Sequence, residues 1–388
     1  MKSQEPMRIL VVSWSVPPNS GGSATVIANL CKQFTRDEML VVGELSATPA
    51  VWRWQSEWPR VVSVCHSWWS GWRGRRFYGW SALLVQVPLL VWRIWRLAVR
   101  FKPTHILVVY PDWRFLLAGA LVAKWTGRPL FLYFHNTFKE NVKGYEQVIA
   151  RILQPAVFRA AQHVFVMSEG MVDLFRKNYP GLRCSALVHA FSAPLPQGVD
   201  VPTPRSPPDF VFLGSVNDSC LDALQRMMRV IHNIPRARLK FLTGTPRSVL
   251  TRQGLLGERD SCDSVMDSEL MQKLADADVV LLPHGFIGSY APEEYQTIFP
   301  TKTIEYLICG RPILAHTPPD CFLTRFLREH ECALVVDEAN EQAILRGITL
   351  LQNDAALRRR LVQNALRAAQ QFRVSVVVRT LREQLQTA

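Results

Sequence analysis

Lys302 and Glu305 stand three residues apart in the stretch Phe299-Pro-Thr-Lys-Thr-Ile-Glu-Tyr-Leu-Ile-Cys-Gly310. On a helix that spacing puts both on one face at the first turn, where free backbone N–H groups and the positive end of the helix dipole attract anions. Lys302 would add a point charge for a diphosphate, Thr303 stands beside it, and Glu305 would accept hydrogen bonds from a ribose diol. The same spacing also describes a surface ion pair worth only a few tenths of a kcal/mol.

Two further positions carry chemistry. Gly21 and Gly22 lie in Val16-Pro-Pro-Asn-Ser-Gly-Gly-Ser-Ala24, between the apolar run Ile9-Leu-Val-Val-Ser13 and a helical periodicity from Thr25 to Phe34. Strand, glycine loop and helix in that order let a backbone approach a ligand, although a plain tight turn has the same composition. His135 ends the strand-like run Pro129–His135, a place from which an imidazole could act on hydroxyls near neutral pH or simply serve the fold.

These residues need a scaffold, and the chain alternates strand-like and helical stretches from end to end. Strand-like runs fall at Thr104–Tyr110, Pro129–His135, Ala161–Met167, Phe210–Gly214, Leu239–Thr243 and Val279–Pro283, and Ile313-Leu314-Ala315 follows the Lys302 block. Such alternation predicts parallel sheets covered on both faces, with ligand crevices outside the carboxyl ends of the strands. Pro300 suits a first helical turn, Gly310 a helix end, and Ser168 an N-cap with Glu169 in its first turn.

The Lys302 block resembles the donor-site segment of GT-B glycosyltransferases, especially the retaining family four. Glu305 stands five residues before Gly310, Arg311-Pro312 follows, and Ala275-Asp-Ala-Asp-Val-Val-Leu-Leu-Pro283 leads in. The resemblance implies two Rossmann-like domains facing across a cleft and metal-independent transfer from a nucleotide sugar, with no cofactor. It also implies that Gly21, Gly22 and Glu305 bind the donor and that a His at the place of His135 acts in the site; the charge and position of Lys302 add it, with Thr303 and Gly214, to the expected donor-binding set, and His135 and Lys302 are the expected catalytic residues. The pattern is broken twice. Thr297 stands where many members have a second Glu, with Glu293 and Glu294 nearby, and Ser215-Val-Asn-Asp218 lacks the usual basic residues. A nucleotide-sugar epimerase and a non-catalytic scaffold on the same fold therefore stay open.

The chain has 388 residues, 48% of them hydrophobic, enough for two cores, since single cores stop growing at about 250–300 residues. A net charge of +13 calls for an acidic partner: phosphorylated substrate, anionic lipid or nucleic acid. Nine of twelve tryptophans fall within residues 51–102 beside many arginines. Trp92, Arg93, Trp95 and Arg96 suit a lipid headgroup region or a glycan acceptor held there, and Arg93, Arg96 and Arg100 would share a helix face. A packed core helix with a wet basic side is the alternative. Tryptophan beside arginine also suits single-stranded nucleic acid, but no nucleic-acid motif accompanies it, so none is expected.

The sixteen uncharged residues Phe77–Trp92 fall short of the roughly 20 that a spanning helix needs. Eight scattered cysteines form no Cys-x-x-Cys pair and signal neither zinc nor disulfides. With the first apolar run too short for a signal peptide, the expected location is the cytoplasmic face of a membrane. The expected domains are residues 1–195, a Pro-rich linker 196–208, a nucleotide-binding domain 209–372 and a helix 373–388 that crosses back. The acceptor would be a lipid-linked or membrane-associated glycan of cell-surface polysaccharide or glycolipid synthesis.

Overall fold

The apolar runs become the central strands of two all-parallel sheets, each covered on both faces by helices. The structure, a computed structural model, describes residues 6–19, 21–45, 54–66, 81–196, 201–264 and 267–387. Trp52, Arg53, Trp68, Trp69, Trp72, Arg73, Arg75, Arg76 and Trp80, together with residues 197–200 of the expected linker, lie outside the described residues. The chain divides into Met1–Ser192 with Val374–Ala388, and Ala193–Arg373.

The first unit contains β1 (Ile9–Ser15), α1 (Gly22–Cys31), β2 (Met39–Leu45), β3 (Arg60–His66), α2 (Val87–Phe101), β4 (His105–Tyr110), α3 (Trp113–Thr126), β5 (Leu130–Phe134), α4 (Tyr145–Ala160), β6 (Ala161–Val166), α5 (Glu169–Asn178) and β7 (Cys184–Ala186). Its strand order is β3-β2-β1-β4-β5-β6-β7. Ile9–Val12 and Ile106–Val109 are buried throughout, which is why they read as unbroken apolar runs rather than alternating ones. Ser168 caps α5, its Oγ accepting from the Met171 N–H at 3.1 Å.

The second unit runs β8 (Asp209–Leu213), α6 (Leu221–His232), β9 (Arg238–Leu242), α7 (Arg247–Arg252), β10 (Ser261–Asp263), α8 (Asp267–Ala275), β11 (Val279–Pro283), α9 (Pro292–Thr297), α10 (Lys302–Ile308), β12 (Ile313–His316), α11 (Phe322–Glu329), β13 (Leu334–Val336), α12 (Glu341–Asn353) and α13 (Ala355–Ala369). The order is β10-β9-β8-β11-β12-β13. Gly310, at φ +73°, closes α10 in the left-handed conformation that glycine adopts without penalty. The last helix, α14 (Val374–Gln386), groups with the first unit, burying Val377, Val378, Leu381 and Leu385 in its core.

Part of the Trp/Arg-rich stretch departs from its expected membrane-facing role. Arg60–His66 is a strand paired parallel to β2, with a register shift after Gly43, and Val64 and Cys65 are buried. It is an edge strand of the first sheet, a short run masked in the sequence by the surrounding tryptophans.

Where β2 runs beside the end of β1, only glycine fits at position 43. A Cβ on Gly43 would lie 2.4 Å from the Ser13 carbonyl oxygen and 2.4 Å from Val16 Cγ1. Gly43→Ala should therefore destabilise the protein by about 1–3 kcal/mol, read as a lower denaturant midpoint at unchanged slope. An unshifted midpoint would show that the end of β1 yields freely.

Candidate functional site

In the second sheet the strand order reverses between β8 and β11, so the crevice for a ligand lies outside their carboxyl ends. Gly214 follows β8 at φ +98°, and a Cβ there would stand 3.4 Å from Lys302 Cε and 3.7 Å from Nζ. The same Nζ sits 4.1 Å from the centre of the Phe212 ring, whose face attracts a cation. Among the described residues Lys302 has no hydrogen-bond or ion-pair partner. Burial lowers its pKa, while Glu305 and the Cys220 thiol pull it back up.

One hydrogen bond sets this geometry. The Leu213 N–H donates to Tyr306 Oη at 2.7 Å, and the fully buried Tyr306 thereby ties α10 to the end of β8. Lys302 lies one turn earlier on α10, so the bond places its chain over Gly214. Lys302, Glu305 and Gly214 are thus brought together.

The expected dipole contribution is not what the structure offers. α10 has only seven residues, and the Thr303 and Ile304 N–H groups already donate to Pro300 O at 2.9 Å and Thr301 O at 3.1 Å. Positive charge comes from the lysine side chain rather than from the helix end. Thr303, expected at the ligand, is fully buried, and its Oγ1 meets no partner among the described residues.

The loops around the crevice are braced by residues that carry no motif of their own. Asp222 accepts from the Phe286 N–H at 3.2 Å and pairs with Arg226 at 2.7 Å. Arg226 Nε donates to His316 Nε2 at 3.0 Å, and His316 Nδ1 donates to Val336 O at 2.9 Å. This arrangement needs a neutral imidazole, in line with a His316 pKa pushed by burial down to about 4. The Gly285 N–H donates to Ser219 O at 2.7 Å, and Tyr295 Oη donates to Asp218 O at 3.0 Å. The i,i+4 spacing of Asp222 and Arg226 was the available signal. Of the two acids near Thr297, Glu294 is buried beside Tyr290 and Glu293 is half-exposed, while Thr297 Oγ1 donates to Glu293 O at 2.7 Å.

In the first sheet the order reverses between β1 and β4. Gly21 caps α1 at φ +117° with open space where a Cβ would stand, so its backbone conformation rather than crowding selects glycine, and Gly22 opens the helix. At the end of β4, Asp112 caps α3 and holds the buried Arg114 guanidinium through contacts of 3.0 and 2.7 Å. Arg114 also donates to Gln86 Oε1 at 2.7 Å. His135, at the end of β5, is buried against Tyr133, and neither ring nitrogen has a hydrogen-bond partner among the described residues. Burial, with His189 beside it, pushes its pKa down to about 3, so the ring is neutral at physiological pH.

Helix α2 continues a π-helical turn at Ala82–Gln86; the turn exposes Leu84 (68%) and Val85 (60%), and the helix exposes Trp92 (47%), Trp95 (39%) and Val99 (51%). Its other side buries Leu90, Val91, Ile94 and Ala98 in the first core. Arg96 lies 4.8 Å from the Trp92 ring centre. Arg93, expected on the same face, instead turns inward and donates to Val64 O at 2.7 Å. Ala82–Phe101 is long and apolar enough to cross a membrane, but one side of it belongs to the core of this unit.

The glycosyl transferase 4-like domain family matches residues 21–183, less than half of the chain. No curated protein sequence matches it. Among solved structures, sucrose-phosphate synthase from Thermosynechococcus elongatus superposes with a TM-score of 0.71 at 14% identity, covering 98% of each chain. Anabaena HepE in complex with UDP and glucose gives 0.68 at 17%, covering 98% of this chain and 100% of its own. The lipopolysaccharide outer core galactosyltransferase WaaB gives 0.63 at 12%, covering 98% and 99%. Fold and matched domain together define the class: two parallel-sheet units with the fold of GT-B glycosyltransferases, and a glycosyl transferase 4-like domain at residues 21–183. The first unit carries the glycosyl transferase 4-like match.

The buried imidazoles of the two units give the protein a pH signature. His135 titrates near 3, and His163, His284 and His316 near 4, against an ordinary 6.5. Below pH 6.5 the unfolded chain takes up protons that the folded chain refuses, so stability must fall as pH drops toward 4. At pH 5 each fully buried ring contributes at most about 2 kcal/mol of this loss. His135→Gln should narrow the difference between urea midpoints at pH 7.5 and pH 5.0, and an unchanged difference would place His135 in contact with water.

Proposed function

We propose that this chain transfers a glycosyl group from a nucleotide-sugar donor to a lipid-linked or membrane-associated glycan acceptor. The observation that carries the reading is the half-buried Lys302, held over Gly214 at the switch point of the second sheet without an acceptor of its own among the described residues. A cation kept there against desolvation is poised for the charge that develops on a departing diphosphate. It stands at the strand end where Ser215-Val-Asn-Asp218 supplies no basic side chain. Glu305, on the same face of α10, is the candidate partner of the ribose hydroxyls, and the φ +98° turn at Gly214 lets backbone approach the phosphates. HepE, of like fold, is described in complex with UDP and with UDP-glucose, which makes uridine nucleotides the first donors to try.

In the first unit, a neutral His135 accepts or donates a hydrogen bond to a sugar hydroxyl without adding charge to the site. The exposed apolar side of α2 supports an acceptor held at a bilayer, with Trp92 and Trp95 at headgroup depth.

Two measurements test these readings. Thermal shift against UDP, GDP, ADP, CMP and their sugars should show one nucleotide stabilising the wild type. Lys302→Met and Glu305→Gln should each weaken that binding at least about tenfold, roughly 1.4 kcal/mol. If no nucleotide shifts the melting temperature, with or without anionic vesicles, the transferase reading fails. For the acceptor side, Trp92→Ala/Trp95→Ala/Arg96→Ala, which spares the structural Arg93, should cut co-sedimentation with phosphatidylglycerol vesicles severalfold. Unchanged sedimentation would remove the membrane from the proposal.

A further inference from the structure

At the amino-terminal edge of the first sheet, opposite the strand ends that carry Gly21 and His135, lies a cavity of about 330 Å³, within the range of small-ligand sites. Four arginines line it: Arg8 just before β1, Arg36 just before β2, Arg60 opening β3 and Arg100 on the last turn of α2. Leu40, Val62, Leu97 and Phe101 form its apolar wall, and Asp37 is the one carboxylate among its lining residues. We propose that this cavity binds a phosphate group.

Three observations converge on that chemistry. None of the four guanidinium groups has a hydrogen-bond or ion-pair partner among the described residues. The acid that could have answered them is committed elsewhere. Glu38 accepts from the Thr35 N–H at 2.9 Å and from Thr35 Oγ1 at 3.1 Å, and pairs with Arg382 at 3.0 Å. Four cations therefore face one carboxylate, an excess of three that a carboxylate ligand would leave largely unmet and a multiply charged phosphate would not.

Arg8 is also held ready. Its backbone is fixed to Thr104, the N–H donating to Oγ1 at 2.8 Å and the carbonyl accepting from the Thr104 N–H at 2.8 Å. Its guanidinium stacks 4.5 Å from the Phe101 ring centre, and its buried Nε meets no acceptor among the described residues. A planar fork immobilised on an aromatic face loses little freedom on gripping a phosphate, and the apolar wall strengthens the field the four charges make.

The source of the phosphate is either a lipid headgroup or a free phosphorylated compound. Arg100 stands next to Val99, which belongs to the exposed apolar side of α2, so both sources are within reach. The site is independent of the donor reading at Lys302, and its test is made where the donor site cannot contribute.

In the Lys302→Met background, inorganic pyrophosphate should still raise the melting temperature saturably. Adding Arg36→Gln/Arg60→Gln/Arg100→Gln, which spares the packed Arg8, should weaken that effect at least tenfold at unchanged melting temperature without ligand. Arg252→Gln/Arg259→Gln/Arg359→Gln removes the same charge from exposed positions of the second unit and should leave binding within twofold. A single Arg100→Lys, which keeps charge but loses the fork, should fall between.

Absence of saturable pyrophosphate binding in the Lys302→Met protein, or equal loss in both triple variants, would overturn the site. Given pyrophosphate binding that only the cavity triple loses, flotation on vesicles of phosphatidylglycerol against phosphatidylcholine assigns the source. Reduced flotation of the cavity triple on phosphatidylglycerol makes the phosphate a headgroup, and unchanged flotation makes it a free compound.

Discussion

The bond from the Leu213 N–H to Tyr306 Oη is the constraint on which the second unit's chemistry rests. It joins the end of a central strand to a helix of barely two turns, too short to be stable by itself. Everything that makes Lys302 unusual follows from it: the approach to Gly214, the contact with Phe212 and the desolvation that depresses its pKa. The hydrogen bond is neutral and buried, so its contribution is about 1 kcal/mol, but its geometric effect is larger than that figure conveys.

The first unit shows the same division between scaffold and site with different chemistry. Its crevice is braced by a buried ion pair, Asp112 with Arg114, whose guanidinium also donates to Gln86. Such a pair contributes little net stability but is costly to break, so it holds the end of β4 in one arrangement. Against this charged brace His135 is neutral and unengaged by protein donors or acceptors among the described residues. One unit thus presents a cation and the other a neutral imidazole, a difference set by which groups each core chose to pair.

Much of the fold was legible because central parallel strands advertise themselves. Ile9–Val12, Ile106–Val109 and Val279–Leu282 are apolar on both faces and could be little else. The short edge strands β7, β10 and β13, three residues each, carry no such run and went unread. The pattern of β3 is masked by its neighbours, since tryptophan beside arginine is also the composition of a bilayer-facing segment. In the second unit, the shared face of Lys302 and Glu305 is legible from their spacing, and Gly214 from its place after a strand. The same helix periodicity turns Thr303, one position on, into the core. Of the bracing by Asp222, Arg226 and His316, only the i,i+4 pair of Asp222 and Arg226 has a local pattern; the bond from Arg226 to His316 joins residues ninety positions apart, which none announces.

The second unit is inserted in the first, since the chain leaves the first core after Ser192 and returns to it only at Val374. α14 supplies Leu381 and Leu385 to a core whose strands, Ile9–Ser15 through Cys184–Ala186, were all made before the inserted unit, and Arg382 to a pair with Glu38. During synthesis, the half of the molecule that emerges first is therefore the half that finishes last. Its sheet must wait on the ribosome with one flank uncovered while the inserted unit, whose residues are contiguous, completes its own core. Vectorial folding here runs from the middle of the chain outward.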